Sequence, residues 1–156
     1  MTDTPDPNDR PSRKRPAIRQ SDYERLSEFR HLIRLFLEFS QEKARLAGLT
    51  PRHHQALLAI KGYPGGGPVT VGKLAERLRI RHHSAVELVD RICEAGLITR
   101  DQDKADHRRV VLNLTPRAEE HLADLSAAHL DELDRIEPML RRLLRHGDED
   151  GSAPAA

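Results

Sequence analysis

The apolar positions of this chain recur mainly at helical spacing, and Gly- and Pro-rich stretches divide them into segments. Leu26, Phe29, Ile33, Phe36, Leu37 and Ala44 lay one apolar stripe along a long first helix. Ser21 is its expected N-cap, with Glu24 three positions on completing a capping box. Thr50 followed by Pro51 predicts the cap and first position of a second helix ending near Ile60. The run GYPGGGP then breaks the chain. Thr70 caps a short helix carrying Leu74, Ala75 and Leu78. Residues 79–82 turn the chain into another helix, with Ala85, Leu88, Val89 and Ile92 on its inner side and Gly96 at its end. These two form a helix-turn-helix candidate. LITR and RVVLNL read as antiparallel strands with Asp101 to Arg108 as the tip. Thr115-Pro116 opens a long helix marked by Leu122, Leu125, Leu130, Leu133 and Ile136. Pro138 predicts a kink or break near Glu137, with a final helix through Leu140, Leu143 and Leu144. The fold class is mainly α, a winged helix-turn-helix with long terminal helices and a two-stranded β-wing.

Composition agrees with that pattern. The chain has 156 residues, enough for one domain with a core, and 3% aromatic content with no Trp suits a Leu- and Ala-rich helical protein. Residues 1–20 and 147–156 are too polar to repay ordering by burial and read as a disordered basic arm and a disordered tail. That leaves a single domain at 21–146, with a lobe at about 51–115 between terminal helices at about 21–46 and 116–146. A formal net charge of +1 means that nucleic-acid affinity has to come from local basic clusters. The single cysteine, Cys93, excludes an internal disulfide framework. With no signal-like apolar segment at the N-terminus and no membrane-spanning run, a cytoplasmic location is expected. No phosphate-binding loop or catalytic constellation stands out, so an enzyme is not expected. Adjacent histidines point about 100° apart on a helix, and no metal or cofactor is expected either.

The run Asp106 to Thr115, DHRRVVLNLT, carries the pattern D-x-R-x-x-x-x-x-L-T at the right distance from Gly96-Leu97. Together with VTVGKLAERLRIRHHSAVELVDRICEAGLITR it resembles the multiple antibiotic resistance regulator (MarR) family over about residues 21–146. The resemblance implies a transcriptional regulator, a ligand-responsive repressor that works as a homodimer on double-stranded DNA at a pseudo-palindromic operator. In such a protein the start of the second helix of the pair meets base edges, here Arg81, His82, His83, Ser84 and Glu87. The family often has an arginine where this chain has Glu87, whose carboxylate can accept from a cytosine amino group. Ser84 and Glu87 are expected on one exposed face. Family resemblance further implies that Arg108 pairs with Asp90 and, with Asp106, fixes the wing. Lys104, His107 and Arg109 at the tip are expected to meet the DNA backbone or minor groove. The effector implied is a phenolic or lipophilic anion bound between the lobes, with Phe36, Phe39, His53, His54 and Leu57 as candidate lining. The alternative is a winged-helix module for protein interaction without DNA binding, for which the low net charge and Glu87 speak.

Overall fold

A computed structural model describes residues 17–145, so most of the arm and all of the tail lie outside the described residues. The element order is α1 (Gln20–Leu46), α2 (Pro51–Lys61), α3 (Val71–Leu78), α4 (His82–Glu94), β1 (Ile98–Gln102), β2 (Val110–Leu114) and α5 (Pro116–Leu144). The architecture is mainly helical with one two-stranded sheet, as the periodicity predicts.

The starts of α2, α3 and α5 follow from their sequence. Thr50, Thr70 and Thr115 each accept a backbone N–H from three residues on, at 3.1, 3.3 and 3.3 Å, which satisfies a donor the helix itself leaves open. α1 corrects the expectation for Ser21. Its N-cap is Arg19, and the Asp22 carboxylate accepts the Arg19 N–H at 3.0 Å. Asp22 stands three residues after that cap, the place from which a carboxylate reaches back. Glu24 accepts instead from the side-chain amide of Gln20 at 3.2 Å.

α3 and α4 meet through a turn in which Arg79 takes φ 57, a left-handed conformation uncommon for a residue with a Cβ. The Ile80 N–H then bonds back to the Ala75 carbonyl at 3.0 Å, closing the end of α3. Gly96, at φ 69, does the same work after α4, and there glycine carries no steric cost.

The strands run antiparallel from Ile98↔Leu114 to Gln102↔Val110. Ile98, Val111 and Leu112 are buried. Leu57, Leu74, Val89 and Ile92 are the largest fully buried side chains, so the core lies where α2, α3 and α4 meet. α1 packs along α5 outside that lobe.

α5 corrects a second expectation, since it runs unbroken from Pro116 to Leu144 with Pro138 inside. Proline removes one backbone bond and crowds the carbonyl four residues earlier. The surrounding Glu137, Leu140, Arg141 and Leu143 favour helix, and the Arg141–Glu137 ion pair spans the proline. Its apolar positions also divide between two faces. Leu122, Leu125, His129 and Ile136 are buried, whereas Leu130 and Leu133 are 60% and 40% exposed.

Candidate nucleic-acid interface

α4 buries Ala85, Leu88, Val89 and Ile92, and this leaves His83, Glu87, Asp90 and Glu94 as an outward stripe at helical spacing. Arg81, the N-cap, and His82 are exposed at the same end. Ser84 departs from its expected position. It is half-buried and lies with Glu87, Leu88 and Arg91 along a cleft of about 650 Å3 that α1 and α2 close with Gln41, Arg52 and His53. Four residues separate Ser84 from the buried Leu88, which turns the serine toward α2. Glu87 therefore shares the open face with His83 rather than with Ser84.

The wing is fixed differently from the expected Arg108–Asp90 pair. Asp90 on α4 is held by Arg100 of β1 through a charge-assisted hydrogen bond. Sheet alternation explains the exchange. Ile98 points inward, and Arg100, two residues on, lies on the same side of the strand and meets α4. The hydrogen bond to Asp90 pushes the Arg100 guanidinium further up, so the pair stays charged. Among the described residues the Arg108 side chain has no ion pair. Its backbone N–H donates to the Asp106 carboxylate at 3.1 Å, so Asp106 shapes the tip rather than tying the wing to α4.

Arg109, expected to be a free contact, is stapled within the hairpin. Its guanidinium reaches the Asp103 carboxylate at 2.6 Å and Asp106 at 3.8 Å. Asp103 is 8% exposed and also accepts the Ala105 N–H at 3.0 Å. The Ala105 N–H, then Arg109, hold its carboxyl below the usual carboxylate range against the opposing effect of burial. Sequence reading missed Asp103 and Arg100, although the D-x-A turn at 103–105 is a signal for the first. Lys104 and His107 remain exposed at the tip.

The wing motif's last residue closes the hairpin base. The Thr115 hydroxyl donates to the Gly96 carbonyl at 2.9 Å, and its backbone N–H donates to the Leu97 carbonyl at 3.0 Å. One side chain thus joins the end of α4, the end of β2 and the start of α5.

The five residues proposed to line one effector site are not brought together. His53 is half-buried on the cleft beside α4, and Leu57 is wholly within the core. Phe36, Phe39 and His54 gather around His129, which is not among the expected site residues. Among the described residues no cluster of three or more His, Cys, Asp or Glu is placed to hold a metal ion. Cys93 is half-buried, and burial pushes its thiol up. No described helix is long and apolar enough to cross a membrane.

A helix-turn-helix whose second helix offers an open polar face, with a β-hairpin clamped against that helix, defines the winged helix-turn-helix class. The family model described as MarR family matches residues 47–109. The chain is 32% identical over 97 residues to the uncharacterized HTH-type transcriptional regulator YcgE of Bacillus subtilis, covering 62% of this chain and 61% of that protein. A MarR family protein from Bacillus stearothermophilus superposes with TM-score 0.66 at 21% identity over 81% of this chain and 96% of that one. A mutant of MepR from S. aureus, solved bound to an oligodeoxyribonucleotide, has TM-score 0.56 at 20% identity over 82% of this chain and 87% of that one. The chain is thus similar to the MarR family, matching its model over residues 47–109 and sharing the fold of a solved member.

Proposed function

We propose that this protein is a sequence-specific DNA-binding transcriptional regulator that acts as a homodimer on a pseudo-palindromic operator, as a ligand-responsive repressor in the cytoplasm. The observation that carries this is the open face of α4, with His83 and Glu87 outward, next to a wing held to α4 by Arg100 and Asp90. Support comes from the DNA seen with the MepR relative and from the name regulator given to YcgE. Two α4 helices held about 34 Å apart enter successive major grooves.

In this reading His82, His83 and Glu87 meet bases and Arg81 a phosphate, while Ser84 at the cleft edge meets the backbone. Lys104 and His107 reach phosphates from the tip, and Arg108 joins them. An effector, a phenolic or lipophilic anion, changes the spacing of the two lobes and favours a dimer that no longer fits DNA. Selection of duplexes from a random-sequence pool tests the reading. Wild type yields a two-fold symmetric site, and Glu87→Gln changes the preferred base at one position per half-site by about 1 to 3 kcal/mol. Recovery of no enriched sequence would overturn DNA reading, and identical preferences in wild type and variant would remove Glu87 from the readers.

A further inference from the structure

The junction of α1, α2 and α5 encloses two histidines that the DNA-facing surface does not use. His54 is 3% and His129 9% exposed, and their ring centroids lie 4.9 Å apart. Phe36 and Phe39 close edge-on over His129 at 5.9 and 5.5 Å. His129 Nδ1 lies 2.6 Å from the Leu125 carbonyl, which can only accept, so Nδ1 carries the hydrogen. Nε2 is left to take the Ser40 hydroxyl at 2.8 Å. One histidine thereby ties α5 to α1 and leans on α2.

The surroundings offer little to a second positive charge. Among the described residues His54 has no side-chain hydrogen bond, and neither ring takes part in an ion pair. On α1, Lys43 stands over Phe39 at 5.5 Å and adds positive charge, while Glu42 is turned to Arg45 at 3.7 Å. On α5, Glu132, one turn beyond His129, is taken by Arg135 in two hydrogen bonds of 2.8 and 2.6 Å. On α2, the neighbouring His53 is pushed down by burial and then by Arg91 of α4. Burial, and next His129, likewise push His54 below the ordinary histidine value.

We propose that the His54–His129 pair is an acid-sensitive latch, in which a proton on His54 loosens α2 from the α1–α5 seam and so weakens DNA binding. Its last step rests on the DNA-binding reading above. A form in which His54 is released to water binds the proton more readily than the closed form. The closed form is therefore fully favoured above the ordinary histidine value near 6.5 and loses ground as pH falls below it. Positive charge on the exposed DNA-facing surface acts in the opposite sense, because it strengthens attraction to DNA.

Thermal unfolding of the full chain at pH 7.5 and 5.5 tests the latch. Wild type is expected to lose about 3 to 6 °C on acidification, and His54→Gln less than half as much, since a neutral amide cannot take the proton. Where the variant unfolds too early to measure, NMR titration of the wild-type His54 ring takes its place, with a midpoint below 6.5 expected. Equal acid losses in both proteins, or a ring that titrates at its ordinary value, would overturn the latch. For the last step, the tightest duplex recovered from a random pool at pH 7.5 is the probe. Acidification to pH 5.5 is expected to weaken its binding to wild type about fivefold and to leave His54→Gln unchanged or tighter. Equal weakening in both overturns the link to DNA. Absence of binding at either pH overturns the DNA reading instead, while the melting and NMR results still decide the latch.

Discussion

Arg100 is the residue on which the geometry of the candidate interface turns, since its ion pair with Asp90 joins the wing to α4. Both side chains are more than a third exposed, so water and salt screen the pair, and its stability contribution is about 0.2 to 1 kcal/mol. The effect on DNA binding is expected to be larger, because a displaced wing misplaces several contacts at once. Arg100→Ala and Asp90→Ala should each weaken binding about tenfold, and the double variant little more than either. Arg108→Ala should instead add its loss to that of Asp90→Ala, as measured by anisotropy on one duplex. At the tip, Asp103→Ala should speed amide exchange at Ala105, whose N–H then has no acceptor. The same loosening should follow in wild type as pH falls. The depressed carboxyl stabilises the tip above the ordinary Asp value near 3.9 and stops doing so as it protonates below that value. The motif D-x-R made Arg108 look like the clamp. Which guanidinium faces α4 depends on strand register, and the two-residue step that puts Arg100 on the same side as the buried Ile98 already contained that answer.

At the scale of elements, the sequence was most legible where chemistry is local. Thr-Pro at 50–51 and at 115–116 marks two helix starts that the structure reproduces, because cap and first position act within one turn. The start of α1 was misjudged by two residues, since Asp22 competes with Glu24 for the role of returning carboxylate. Pro138 was read as a break, yet the whole of α5 outweighs one lost bond. Pro138→Ala should therefore raise stability by about 1 to 3 kcal/mol in denaturant unfolding without altering the oligomer. Thr115→Ala should cost about 1 to 2 kcal/mol, the N-cap together with the bond to Gly96. The aromatic setting of His129 was not legible, because it brings together residues 89 positions apart.

At the scale of the molecule, the terminal helices leave Tyr23, Leu26, Ile33, Leu37, Leu130, Leu133 and Leu144 exposed. A monomer gains nothing from apolar side chains in water, and a second copy is the occupant this reading supplies. Sedimentation is expected to give a dimer at micromolar concentration, and Leu130→Glu with Leu133→Glu a monomer that binds no specific duplex. Lys104, at the tip, is expected to act through charge alone. Lys104→Ala should weaken all duplexes alike and lower the salt slope by about two per dimer. The Thr115 hydroxyl on the Gly96 carbonyl has a consequence for inheritance as well as for shape. It stitches the two feet of the hairpin together, so that the tip beyond the buried Ile98, Val111 and Leu112 is an insert whose length and spelling can change while the helices stay in place. In the proposed role, targets can then diverge through exchange of that insert, while the body of the protein is passed on unchanged.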